Sequence, residues 1–355
     1  MPTFIQFLIR RFLLIPISLL IITMVLYGGV MLTPPEARAE LYMPKGGHMT
    51  EEQAEHLRGL LIERYHLRDP FYIQYAFWIK SLLQGSWGYS PSLGEDVLPA
   101  LLRRTPVTLE LATYSLLLFV PLGLLFGIPA GWKPNHRFDN LFRPIAYIST
   151  SMPSFIFAMV LLAIFYVNLR WFSPERISMP LSFEITESGF RNFTGMLTID
   201  SLLNGRFDIF LDSLRHLFMP VLTLSLYHWA TLSRVTRATV LGEKRKEYII
   251  AARARGVSEN KVLWKHTFSN VLSPALTSVG ISAAAILGGV FVVEIIFSFK
   301  GISDVIVRSV SGASDAPAAL GFAIYSVIII LLLMFFIDVL QAALDPRVRE
   351  ELLKS

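Results

Sequence analysis

Five ionisable side chains lie inside long apolar stretches of this chain: Glu110, His228, Arg234, Glu294 and Asp338. In such surroundings a charge or an imidazole either touches a solute or proton path, or hydrogen-bonds neighbouring helices. A second chemical feature is Glu247–Pro274, EYIIAARARGVSENKVLWKHTFSNVLSP, a polar, basic insert between two apolar segments. The helix formers Ala251, Ala252 and Ala254 predict a short helix opening at Glu247 and Tyr248. Gly256 should stop it in the left-handed conformation, and Ser258 can cap the next helix. A basic helix–Gly–helix between two membrane spans cannot lie in lipid. It must sit on the cytoplasmic face, free to dock onto something soluble. Its small alanines let a partner backbone come close. Arg253, Arg255 and Lys261 could meet acids on that partner or face anionic headgroups.

The chemistry of catalysis is missing. No Gly-rich phosphate loop ending in Lys-Ser/Thr occurs, so ATP hydrolysis by this chain is not expected. No His-Glu-x-x-His and no Gly-x-Ser-x-Gly occurs, and Ser225 near His228 has nothing to orient the pair. With no cysteine among 355 residues, disulfides, thiolate metal sites and thiol catalysis are ruled out. An enzyme is not expected, nor a metal or a cofactor bound by this chain.

The elements that must position these residues are membrane spans. The chain is 53% hydrophobic and only 17% charged, where a soluble protein carries about a quarter charged residues. Six stretches are long enough to cross a hydrocarbon core of roughly 30 Å: Phe7–Leu32, Thr105–Gly131, Leu141–Leu169, Ser213–Val235, Val271–Phe299 and Pro317–Leu344. The expected class is an all-α membrane protein. Its parts are a first transmembrane helix (1–32), an outer region (33–104), a five-helix core (105–344) with the insert at 241–270, and a tail (345–355). Arg10-Arg11 before an apolar run imitates a secretion signal, but the run is too long and lacks a small-residue cleavage site.

Charge placement sets the orientation. The loop after the second span carries Lys133, Arg137 and Arg143 against Asp139. The loop after the fourth carries nine Lys and Arg against Glu243, Glu247 and Glu259, and the tail adds Arg347, Arg349 and Lys354. The loop after the third leans acidic, with Glu175, Glu184, Glu187, Asp200, Asp208 and Asp212. Both termini are therefore expected in the cytoplasm. This alternation also explains the basic loops without nucleic acid.

The first outer region should hold two amphipathic helices. Thr50 and Gln53 fit a capping box, and Asp69-Pro70 opens a second helix with proline at its first position, running to about Gln84. Their aromatic content suits the headgroup zone. The second outer region, 170–212, reads as loop with short elements. Gly123, Gly127 and Gly131 recur every fourth residue and give one helix a face for close packing. Pro121 and Pro129 in that span suggest kinks. Tyr227, His228 and Trp229 read as packing residues.

Several strings together resemble the dipeptide/oligopeptide-type permeases of ABC importers, of the first-permease type. They are IRRFLLIPISLLIIT, YHLRDPFYIQYAFWIKSLLQGSWGYS, RRTPVTLELATYSLLLFVPLGLLFGIPAG, the SMPSF turn at Ser151–Phe155, RHLFMPVLTLSL, VVEIIFSFKGI and LDPRVR, with Glu247–Pro274 matching the coupling (EAA) loop. The resemblance implies a type I importer fold in a bacterial or archaeal cytoplasmic (inner) membrane. It implies a second homologous permease, two cytoplasmic ATPases that hold ATP and magnesium, and an extracytoplasmic solute-binding protein. Peptides are the commonest cargo of that family, with oligosaccharides, opines and nickel also carried. Glu247, Tyr248, Ala251, Ala252, Arg253, Ala254, Gly256 and Ser258 become the ATPase-coupling residues. Glu110, Glu294 and Asp338 sit in family-like strings (TLEL, VVEIIF, FIDVL), which favours structural polar roles over a cargo path. Two departures stand out: Leu32-Thr33-Pro34-Pro35-Glu36 with an insert to Thr50, and Leu272-Ser273-Pro274 at the end of the coupling loop. A stand-alone secondary transporter or channel is the alternative, and it has no use for such a loop.

Overall fold

A computed structural model describes residues 2–39, 50–187, 189–311 and 315–344. The insert at 40–49, the terminal LDPRVR beyond Leu344 and the basic tail lie outside the described residues. The chain is helical almost throughout. Helix α1 is Pro2–Val30, α2 Pro35–Ala39, α3 Glu51–Arg64 and α4 Phe71–Leu83. Two-residue strands β1 (Tyr89–Ser90) and β2 (Glu95–Asp96) pair antiparallel, Tyr89 opposite Asp96. Helix α5 is Val97–Trp132, α6 Arg137–Ser151 and α7 Ser154–Leu161, which runs into a π-helical turn, Leu162–Asn168. Then come α8 (Met179–Glu187), α9 (Leu197–Leu203), α10 (Phe207–Glu243), α11 (Glu247–Ala254) and α12 (Glu259–Lys261). A second π-helical turn, Val262–Thr267, leads into α13 (Phe268–Ile296), followed by α14 (Ser303–Ser311) and α15 (Ala316–Leu344).

Five of the described helices are long and apolar enough to cross a membrane, and a bent pair makes a sixth if taken as one span. The bend falls at the SMPSF turn, Ser151–Phe155, inside the expected span Leu141–Leu169. Helices α6 and α7 meet at 103°. The cause is local: Pro153 bars its neighbour from the helical region, and Met152 is extended at ψ 121°. Helices α5 and α10 outrun the expected spans at both ends, at 36 and 37 residues. Pro121 and Pro129 leave α5 unbroken.

Two compact units result. Among the described residues, the first comprises 2–9, 106–187, 189–300 and 333–344, the second 10–39, 50–105, 301–311 and 315–332. This division differs from the 105–344 core drawn from sequence. Packing explains it. Val97 and Leu101 bury against Ile302, Val305, Ala318 and Tyr325, and Arg104 pairs with Asp304 at 3.1 Å. In this second unit Asp315 heads α15: its Oδ1 accepts the Ala318 N–H at 3.1 Å, while Oδ2 accepts from the Ser90 and Ser92 hydroxyls and the Ser92 N–H. The Thr50–Gln53 capping box is formed. Pro70 is the N-cap of α4 rather than its first helical residue, one position off the expectation.

The core of the first unit joins α5, α6, α7, α10 and α13 around Leu111, Phe119, Met219, Leu232 and Ile286. The glycine face of α5 packs on α10 so closely that a Cβ on Gly127 would lie 2.6 Å from the Ser233 carbonyl oxygen. One on Gly131 would lie 2.6 Å from that of Arg237.

Candidate functional site

The insert at 241–270 is built as a short helix seated on the ends of three long ones. Helix α10 ends at Glu243, whose buried carboxylate accepts hydrogen bonds from Lys246 Nζ and the Tyr248 hydroxyl. These contacts turn the chain into α11. Every third residue of α11 then faces inward: Ile249 and Ala252 are buried with Ile128, Trp132, Val240, Val262 and Val271. Trp132 carries two cations, Lys244 at 5.2 Å and Arg253 at 5.4 Å from the ring centre. Lys244 also donates to the Trp132 carbonyl at 2.6 Å. Asn270 donates to the Tyr248 hydroxyl at 2.8 Å, tying α11 to α13.

The stop signal is formed as expected. Gly256 has φ 76°. The Val257 N–H reaches the Ala252 carbonyl at 3.2 Å and the Gly256 N–H reaches that of Arg253 at 2.9 Å, a Schellman arrangement with Val257 packed on the cluster that buries Ala252. Ser258 stands at the N-cap of α12 with extended backbone, but its side chain makes no capping hydrogen bond, so only the backbone half of that expectation holds.

Two of the expected docking residues are engaged within their own unit. Ala252 is buried in its own unit, and Arg253 is engaged by Trp132 and by Glu259 at 2.7 Å. The outward surface is Glu247, Tyr248, Ile250, Ala251, Ala254, Arg255, Gly256 and Ser258. Ile250, 57% exposed, was missed. No local signal marks it, because the inward face is chosen by Trp132, Val240 and Val271 of three other helices.

The polar residues inside the spans fall apart into separate structural contacts. Glu110 is buried and fully occupied: it accepts from Arg176 Nε and Nη2 (3.0 and 2.6 Å), the Thr198 N–H (2.8 Å) and the Thr198 hydroxyl (2.7 Å). Glu294, also buried, accepts from the Thr108 hydroxyl at 2.5 Å. His228 is buried beside Phe119, ring centres 5.7 Å apart. Ser225 turns away from it and donates to the Ser115 carbonyl. Trp229 packs edge-on to Phe126 and Phe142, whereas Tyr227 is exposed. Arg234 is exposed and Asp338 half-buried. No group of His, Asp and Glu able to hold a metal occurs among the described residues.

Two acids of the stretch 170–212 serve its own architecture. Asp200 accepts from the Thr194 N–H and hydroxyl and the Gly195 N–H, and Asp212 accepts from the Ser178 N–H at 2.8 Å.

Residues 123–350 match the family model described as binding-protein-dependent transport system inner membrane component. A di/tripeptide transport system permease protein of Pseudomonas aeruginosa (strain UCBPP-PA14) is 32% identical over 82% of this chain and 84% of its own. An oligopeptide transport system permease protein of Bacillus subtilis (strain 168) is 30% identical over 96% of this chain and 98% of its own.

Proposed function

Because the chain belongs to the family of binding-protein-dependent transport system inner membrane components, and is thus a multi-pass permease subunit of type I importer fold, we propose that its cargo is short peptides. It forms half of the translocation path, and a second homologous permease forms the other half. Two ATPases bind ATP and magnesium on the cytoplasmic side, and an extracytoplasmic binding protein delivers cargo from the other. The chain sits in the cytoplasmic membrane with both termini inside. The stand-alone transporter alternative is not retained, since the family is one of subunits.

One observation supports the coupling role above the others. Helix α11 buries one face on α5, α10 and α13 and leaves Glu247, Ile250, Ala251 and Ala254 uncovered. An element fixed to three spans on one side can pass force to them from a partner on the other. Coupling is then a shared equilibrium between two conformations, biased from both ends. The test is peptide uptake into liposomes with subunits omitted one at a time. This chain alone should neither hydrolyse ATP nor accumulate peptide, and the complete assembly should do both. Accumulation by this chain alone, driven by an ion gradient, would overturn the reading.

A further inference from the structure

Away from the coupling face, the first unit has an open cavity of about 520 Å³. It lies where the π-helical turn Leu162–Asn168, the following stretch 169–178 and the first turns of α10 meet. Two arginines are among its lining residues, Arg170 and Arg215. Among the described residues neither forms an ion pair. Arg215, like Arg170, is solvent-exposed; it donates Nε to the Trp171 carbonyl at 2.8 Å and Nη2 to the same oxygen, a neutral acceptor. It also rests over the Phe172 ring, 5.9 Å from the centre. Arg170 leaves the π-helical turn with φ 53°, a backbone conformation unusual for a non-glycine residue.

The remaining lining fixes the sign and shape of what fits. Asp212 is the one carboxylate of the wall, already bonded to the Ser178 N–H. His216 is occupied at both nitrogens. Nδ1 donates to the Asp212 carbonyl (2.8 Å), with the Asp212 carboxylate 3.5 Å away, and Nε2 is hydrogen-bonded to the Ser173 hydroxyl (3.0 Å). Two guanidiniums against one carboxylate leave the lining net positive, so it selects an anion. The guanidinium fork matches a carboxylate in two-point geometry. Asp212 disfavours a dianionic group and suits a ligand that also carries an ammonium. Tyr166, Trp171 and Phe172 add an apolar wall.

We propose that this cavity is a cargo subsite that takes the free α-carboxylate of a short zwitterionic peptide on Arg170 and Arg215. The proposal rests on the peptide-importer reading above. It is tested with the purified, fully assembled transporter without binding protein, by saturation-transfer NMR against Ala-Ala-Ala and its C-terminal amide. The acid should give strong transfer and the amide weak transfer. In Arg170→Gln/Arg215→Gln the acid should drop to the amide level, a loss of roughly tenfold or more in affinity. Arg170→Lys/Arg215→Lys should keep part of the acid preference. The acid-to-amide ratio is read within each variant, so differences in yield or folded fraction cancel. Equal transfer from acid and amide in the wild type overturns the proposal. So does a double Gln variant that sheds co-purifying phosphatidylglycerol while its peptide signal stays, which makes the cavity a lipid site. Wild-type assemblies that import Ala-Ala-Ala without acid-dependent transfer overturn the subsite alone. Failure of the complete assembly to import any peptide overturns both readings.

Discussion

Asp139 and Arg237 form a two-point ion pair across 98 residues of sequence: Nε lies 2.6 Å from one carboxylate oxygen and Nη2 2.9 Å from the other. Asp139 is fully buried and also accepts the Asn135 N–H at 2.9 Å. The pair pins the start of α6 to α10, close to the helix end from which the coupling insert leaves. Asp139→Ala should destabilise the purified protein by about 3–5 kcal/mol, because it strands a largely buried guanidinium. Asp139→Leu/Arg237→Leu should cost less than the single change, since both charges go. Melting curves in detergent measure both. A double variant as unstable as Asp139→Ala would mean the guanidinium is not what is stranded.

The α5–α10 contact gives a paired steric prediction. Gly127→Ala drives a methyl against backbone and should destabilise by about 1–3 kcal/mol. Gly288→Ala in α13, where a Cβ meets nothing within 4 Å, should be neutral or mildly stabilising. Equal melting shifts for the two would contradict the close packing described here.

At Gly256 the constraint is conformational rather than steric. A Cβ there meets nothing within 4 Å, yet φ is 76°. Gly256→Val should impair ATP-driven uptake while the chain still reaches the membrane. Gly256→Asn should be tolerated, because Asn adopts the left-handed region at lower cost. Loss of uptake in both variants would show that something other than backbone conformation matters at this position.

Acid should loosen the second unit through Asp315. Burial pushes its carboxyl up, but donors from Ser90, Ser92 and Ala318 outweigh burial and hold it below the usual carboxylate range. A group with a lowered folded value contributes stability above its unfolded value, about 3.9, and loses it as pH falls through the folded one. Asp315→Asn should therefore be less stable than wild type at pH 7. The gap should close as pH drops below about 4. A gap that stays constant from pH 7 to pH 3 would rule out ionisation of Asp315 as its source.

What sequence reading could and could not reach divides along physical lines. Gly256 was legible because a helix stop is a local backbone event, decided within a few residues. The apolar length of α1 and α15 was legible for the same reason. At Met152–Pro153 the turn of SMPSF was legible from its proline, but the 103° angle was not, because the apolar run continues through it. Which face of α11 turns inward was equally hidden. Ala251 and Ala252 look alike in sequence, and the choice between them is made by Trp132, Val240 and Val271, which come from three other helices. Asp139 read as a loop acid in a charge count, since its partner Arg237 lies on another span. Likewise Arg170 and Arg215 become neighbours only when the π-helical turn brings them to one cavity.

The central claim is that the uncovered face of α11 docks onto an ATPase, and the absence of cysteine makes a direct measurement practical. Single cysteines placed at Ala251, Ala252 and Ala254 can be labelled with a maleimide in inside-out vesicles, with and without the ATPases. The account predicts that Ala251→Cys and Ala254→Cys react freely alone and are protected when the ATPases bind. Ala252→Cys should react poorly in both states, because that position is buried in this chain itself. Unchanged labelling of Ala251→Cys and Ala254→Cys in the assembled transporter would contradict the docking claim.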